Sequence, residues 1–284
     1  MKKLALLLLS IVLVISSVVV FASCGDETTS SEAETSTNKT ETSSGTESSE
    51  AASIEEEVST DEKVIKMATN AYFPPYEFYE GENIVGIDAE IAALIAEKLG
   101  MKLEIVDMSF DSILSAVNAG TVDFGMAGMT VNPDRLKEVD FSNSYAKGVQ
   151  SVIVKNDSAI TKVDDLFAEG ATYKVGVQLG TTGDSYSTSD FGSDRVTQYP
   201  TGNEAVAALL KGDVDCVIID NEPAKAYVNA NEGIKTLETA YADEDYAICV
   251  KKGNTELLEK INTAIYELTK DGSIANIVSK YIKE

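Results

Sequence analysis

The chain has 284 residues, 44% of them hydrophobic, with a net charge of −24. It is long enough to bury a core and too acidic to hold a nucleic-acid backbone, which requires clustered Lys and Arg. It has no histidine, which removes His-based triads, His-ligated metals and the commonest general base. No metal or other cofactor is expected.

At the N-terminus, Lys2 and Lys3 precede an apolar run from Leu4 to Phe21 that closes on FASC, residues 21–24. This is the pattern of an export signal, residues 1–23. It resembles a bacterial lipoprotein signal, which implies that Cys24 carries lipid and becomes the mature N-terminus. An uncleaved anchor is the alternative, since the run is near the length that spans a bilayer. Either way the expected address is the outer face of the cytoplasmic membrane: the cell surface in a Gram-positive-type envelope, the periplasm otherwise. From Cys24 to Asp61 the sequence is almost wholly Ser, Thr, Glu, Ala and Gly. Such a segment cannot offset its ordering entropy and is expected to be a disordered tether.

The pattern becomes globular after residue 61. VIKMATN reads as a strand, FPPYEF as a loop, and IDAEIAALIAEKLG as a helix with Ile87, Ile91, Leu94, Ile95 and Leu99 on one face. KLEIVDM, a helix DSILSAVNAG and a strand VDFGMAGM follow, then NPDRLKE, where Asn132 and Pro133 look like a helix start with Arg135 at its third position. A cation there opposes the helix dipole unless an anion is present. Strands SVIVKND, YKVGVQL and DCVIID alternate with helices NEAVAALLKG and PAKAYVNAN. The chain closes on two helices separated at Asp271 and Gly272. Alternation of strand and helix argues for α/β lobes with mainly parallel sheets. SILSAVNAGTVDFGMAG and EAVAALLKGDVDCVIID look like one helix–glycine–Val-Asp–strand unit used twice. Cys216 and Cys249 fall in apolar strands and read as free core thiols rather than a disulfide.

In open α/β sheets, ligands bind beyond the carboxyl ends of strands. The residues there are Asn70, Tyr72 and Phe73, then Gly128, Thr130 and Arg135, then Gly180, Thr181 and Thr182, and Asp220. Arg135 offers a fork of donors suited to a carboxylate, and backbone N–H groups near Thr130 and Thr182 suit the same anion. Asp220 and the Gly128 carbonyl suit an ammonium group. Together they describe a clamp for an α-amino acid. Taken singly, Arg135 could pair with Asp134 or Glu138, Asp220 could cap the next helix, and GTTG at 180–183 could be only a turn.

The motifs ATNAYFPPYEF, NIVGIDAEIAALIAEKLG, FDSILSAVNAGTVDFGMAGMTVNPDRLKEVDFSNSY, VGVQLGTTGDSY and VDCVIIDNEPA carry a resemblance. From Val64 to Ile282 the chain resembles the polar amino-acid-binding proteins of bacterial ABC importers, with the periplasmic-binding-protein type II fold. The resemblance implies two α/β lobes, residues 62–145 plus 246–284 and residues 146–245, joined by crossings near Tyr145–Val149 and Tyr241–Asp245. It places the carboxylate on Arg135, Thr130 and Thr182, with Thr181 beside them, and the ammonium on Gly128 and Asp220. Phe73 covers the ligand and Phe110 forms an apolar wall. It further implies a monomer that closes on a free amino acid and delivers it to an ABC permease.

At the side-chain end stand Asn70, where several basic- or amide-binding members have an acid, and Gln178. Two amides and aromatic walls suit glutamine or cystine first and a basic amino acid next. Binding without catalysis is expected. The alternatives on the same fold are a cyclohexadienyl-dehydratase-like enzyme, whose acid or base would fall to Glu77, and a ligand-sensing module.

Overall fold

The computed structural model describes residues 63–238 and 240–283. The export signal, Cys24 and the tether lie outside the described residues.

The chain opens with β1 (Val64–Thr69), a short meander of β2 (Tyr72–Phe73), β3 (Glu77–Glu80) and β4 (Asn83–Val85), then α1 (Ile87–Lys98) and β5 (Lys102–Asp107). Next come α2 (Ile113–Ala119), β6 (Phe124–Gly125), α3 (Arg135–Glu138) and β7 (Val139–Phe141). Ile87, Ile91 and Ile95 of α1 are fully buried, as the helical spacing of apolar positions requires. A second series follows: β8 (Ala146–Lys155), β9 (Val175–Gln178), α4 (Thr182–Phe191), β10 (Val196–Tyr199), α5 (Gly202–Lys211), β11 (Cys216–Asp220), α6 (Asn221–Ala230) and β12 (Ile234–Thr236). β13 (Ala242–Tyr246), β14 (Cys249–Lys251), α7 (Thr255–Lys270) and α8 (Ser273–Tyr281) complete it.

Two sheets result. The first has the order β5-β1-β6-β14-β7, the second β10-β9-β11-β8-β12 with β13 also on β8. β5, β1 and β6 are parallel, as are β10, β9 and β11, while β14 and β8 run against their neighbours. The fold is therefore α/β, with three parallel strands along one side of each sheet, antiparallel strands on the other, and flanking helices.

The segment DYAICVK reads in sequence as one strand, but it is divided between the sheets. β13 ends at Tyr246 in the second sheet, and β14 begins at Cys249 in the first. The stretches expected to form the crossings are paired with each other on β8 and β13, with Gly148 opposite Glu244. The chain passes between sheets at 142–145 and at 247–248. These connections run side by side: Ser142 N–H donates to Ile248 O at 2.9 Å and Tyr145 N–H to Tyr246 O at 3.0 Å. A side chain at Gly148 would meet the Tyr246 ring at 2.5 Å, so glycine lets the two crossing strands pack.

Helix α3 also departs from expectation. It is a single turn with Arg135 as its first residue, not its third. Asn132 still caps the turn, its Oδ1 accepting from Arg135 N–H at 2.8 Å and Asp134 N–H at 3.1 Å. One turn carries little dipole, so the clash expected for Arg135 is correspondingly small. Cys216 and Cys249 are buried free thiols, each pushed by burial up to about 12.

Candidate functional site

Asn70, Phe73, Phe110, Gly128, Thr130, Arg135, Gln178, Thr181, Thr182 and Asp220 line one narrow cavity of about 10 Å³ between the two sheets. Glu77 and Ala127 complete its wall. The first sheet's loops supply Asn70 to Arg135; the second supplies Gln178 to Asp220.

Arg135 is buried, which pulls its guanidinium below its ordinary value, opposed first by the Glu244 carboxylate. Nη1 donates to Thr130 O at 2.7 Å and Nη2 to Gly180 O at 3.1 Å, so one side chain of the first sheet's half reaches backbone of the second. The guanidinium carbon lies 5.2 Å from the Phe110 ring centroid, a cation–π contact that orients it. A guanidinium has five N–H donors, and a carboxylate matches its planar fork. The lone-residue alternative, pairing with Asp134, is not realised: Asp134 instead bonds Lys137 at the surface.

Gly128 sits at φ +51°, and a Cβ there would fall 2.6 Å from the Phe73 ring. Its N–H donates to Asp88 Oδ2 at 2.8 Å, and Asp88 also accepts from the Tyr145 hydroxyl at 2.7 Å. Asp88 occupies the first turn of α1, where the dipole favours a negative charge. Burial nonetheless raises it to about 6.

Glu77 faces it. Both Glu77 carboxyl oxygens and Asp88 Oδ1 are buried with no N–H or hydroxyl partner among the described residues. Burial, then the Asp88 charge, raises Glu77 well above the carboxylate range. Burial and the Asp88 charge thus favour the neutral form of Glu77, hydrogen-bonded to Asp88.

The GTTG turn is the entry to α4. Thr181 is its N-cap, with Oγ1 accepting from Asp184 N–H at 3.2 Å, and Thr182 opens the helix with its first-turn N–H groups unpaired within the helix. Gly180, at φ +77°, brings the turn to within 2.9 Å of the Asp111 side chain for any added Cβ, so glycine permits the close approach of the two halves.

Asp220 ends β11 and precedes α6, but its side chain makes no capping bond. It accepts instead from the Tyr246 hydroxyl and, at 2.8 Å, from Gln150 Nε2. Gln150 stands directly opposite Asp220 in the β8–β11 register and also donates to Glu244 at 2.9 Å. Thr130 Oγ1 donates to the same Glu244 at 2.9 Å. Burial, then the Glu244 charge, pushes Asp220 up to about 7.

At the other end, Gln178 Nε2 donates to Asn70 Oδ1 at 2.9 Å and to Pro200 O at 3.3 Å, while Asn70 Nδ2 donates to Met108 O at 2.8 Å. Both Gln178 amide hydrogens and one of the two on Asn70 are thus committed to protein acceptors.

Residues 65–284 match the family described as bacterial extracellular solute-binding proteins, family 3. This chain belongs to that family. The family-3 chain is 31% identical to the arginine-binding extracellular protein ArtP of Bacillus subtilis (strain 168), over 78% of this chain and 86% of that one. Among solved structures it resembles an ancestral arginine-binding protein bound to glutamine, with a TM-score of 0.73 and 39% identity over 78% of this chain and 98% of that chain. It equally resembles an ancestral arginine-binding protein bound to arginine, with a TM-score of 0.71 and 40% identity over 77% and 98%. Both carry the two-lobed type II periplasmic-binding fold. No helix among the described residues of this family-3 chain is long and apolar enough to cross a membrane.

Sequence reasoning passed over Ala127, Gln150, Asp88, Tyr246 and Glu244, and gave Glu77 only an enzymatic or structural role. Glu77 had a local signal, an acid flanked by aromatics in PPYEF. Gln150 and Glu244 had none, because antiparallel strand pairing brings them in.

Proposed function

We propose that this chain is the solute-binding component of an amino-acid ABC importer, holding one free polar α-amino acid in the cavity and closing on it for delivery to the permease. The supporting observation is that Arg135 and Asp220, opposite charges from different sheets, line one buried cavity. The carboxylate takes the free donors of Arg135 with Thr130, Thr181 and Thr182. The ammonium takes Asp220 and the Gly128 carbonyl, with Phe73 and Phe110 flanking the stem. A ligand touching both halves favours the arrangement in which both contacts are made, and that differential affinity drives closure.

With both amide hydrogens of Gln178 and one of Asn70 committed, the side-chain end offers amide oxygens and a single N–H. A donating side chain fits: glutamine first. A basic amino acid is the second reading, favoured by burial of Glu77, Asp88, Asp184, Asp220 and Glu244 against Arg135 as the one buried cation among the described residues. The arginine-binding relatives point the same way. Binding rather than turnover is the reading that the amino-acid-binding relatives support. We further propose that the protein acts as a monomer tethered outside the cytoplasmic membrane by lipid on Cys24, with lobes at 62–145 plus 246–284 and at 146–245.

A thermal-shift screen of the twenty amino acids plus cystine, ornithine and citrulline tests the reading. A ligand at a hundred times its dissociation constant stabilises the fold by about 2.7 kcal/mol. Glutamine or arginine is expected to raise the melting temperature; no shift from any of them would contradict the reading.

A further inference from the structure

Glu244 sits on β13, three positions before the 247–248 connection that carries the chain back to the first sheet, and is only 5% exposed. Asp220, 7% exposed, ends β11. One amide nitrogen, Gln150 Nε2, donates to both, at 2.8 Å to Asp220 Oδ2 and 2.9 Å to Glu244 Oε2. An amide nitrogen has two hydrogens, so it holds the two carboxyls side by side. Glu244 Oε1 remains buried without a hydrogen-bond partner among the described residues. Two carboxylates confined to one buried site cannot both ionise cheaply, so such a pair retains one proton between them.

We propose that Glu244 is a second acid of the ammonium subsite, and that an amino-acid ammonium entering beside Asp220 replaces the one proton that Asp220 and Glu244 share. The carboxyl O–H bond breaks and the proton leaves to solvent. The ammonium donates N–H bonds to the resulting carboxylates, so one positive charge replaces another. This rests on the amino-acid reading above.

The surrounding groups support the exchange. Burial and the neighbouring Glu244 charge hold Asp220 near 7, where a proton is cheap to remove once a cation arrives. Facing the pair are Arg135 from α3, Tyr186 from α4, Tyr246 from β13, and Glu77 and Tyr76 from the meander; Asp88 from α1 lies behind Glu77. Glu77 favours its neutral form, Asp88 is engaged by Gly128 and Tyr145, and the tyrosines stay protonated. Arg135 is the cation that meets the ligand carboxylate. That leaves the Asp220–Glu244 proton as the one a ligand ammonium displaces.

The sign of the linkage follows. A nearby cation lowers a carboxyl pKa by about 1–3 units. Between the lowered value and about 7, binding releases up to one proton and affinity rises with pH, by at most about tenfold per unit; above that window it levels off. The test is titration calorimetry of glutamine and of arginine into the whole protein at about pH 6, in two buffers of different ionisation enthalpy. The heat is expected to differ between buffers by close to one proton released per ligand bound. The Glu244→Gln variant, which keeps the shape and removes the second charge that helps hold Asp220 up, is expected to bind with a smaller buffer-dependent heat than wild type and to move the rise of affinity to lower pH. A melting curve at the same pH checks that it is folded; should it not be, Glu244→Asp must reproduce the release. Binding with the same heat in both buffers overturns the proposal while leaving the amino-acid reading intact. Equal release by wild type and Glu244→Gln does so too. Failure of both probes to bind overturns the amino-acid reading, and the exchange falls with it.

Discussion

Asp88 shows how a residue that never touches a ligand can set the chemistry of a site. It fixes the Gly128 N–H, holds the Tyr145 hydroxyl and favours the neutral form of Glu77. Its pKa of about 6 lies above the ordinary 3.8, so between those values the folded chain keeps a proton that the unfolded chain has lost. Stability therefore falls as pH rises through that window, by up to about 3 kcal/mol for a shift of about two units. Asp88→Asn should flatten the fall, with a smaller change of melting temperature between about pH 4 and pH 7 than the parent shows. An equally steep variant would contradict the assignment. Gly128 makes a second prediction at this scale. Its positive φ and the 2.6 Å approach to Phe73 leave no room for a methyl group, so Gly128→Ala should lose about 1–3 kcal/mol of stability in urea unfolding. The candidate residues were legible because each follows a strand, where chemistry-bearing side chains stand out locally. Glu244 and Gln150 were not, because their place depends on which strand faces which: Gln150 meets Asp220, and Glu244 meets Gly148, only through pairing with β8.

At the scale of elements, the repeated Val-Asp unit has a physical basis. Gly120 and Gly212 end α2 and α5 in the left-handed conformation that glycine adopts readily. Asp123 Oδ2 then accepts the Lys66 N–H at 2.7 Å, and Asp215 Oδ2 accepts the Lys174 N–H at 2.7 Å. Each aspartate thus bonds the backbone of the neighbouring parallel strand, within β1 for Asp123 and just before β9 for Asp215, and helps set its register. Asp123→Ala and Asp215→Ala should each cost about 1 kcal/mol in denaturant midpoint analysis without changing the slope. A neutral result for both would remove the register role. Helix α4 gave no comparable signal. TGDSYSTSDF is poor in helix formers and has no apolar stripe. It forms because Thr181 caps it and tertiary packing buries Ser187 and Phe191. The division of DYAICVK was equally hidden, since an apolar run does not reveal that its two ends join different sheets.

For the whole molecule, the arrangement of two sheets joined by adjacent connections at 142–145 and 247–248 locates the motion that binding requires. Closure should appear in small-angle scattering as a smaller radius of gyration with saturating ligand than without. An unchanged radius at full occupancy would argue against a hinge. Arg135 crosses the same gap, from Thr130 in one half to Gly180 in the other. A buried charge of this kind, removed on one side only, leaves its partner carboxylate unpaired, at a cost of about 2–5 kcal/mol of binding. Titration calorimetry of glutamine and arginine into wild type and Arg135→Ala is the most direct test. The expected result is one site per chain in wild type and affinity weakened roughly 30-fold to several thousand-fold in the variant. Binding by Arg135→Ala within a few-fold of wild type would contradict the account.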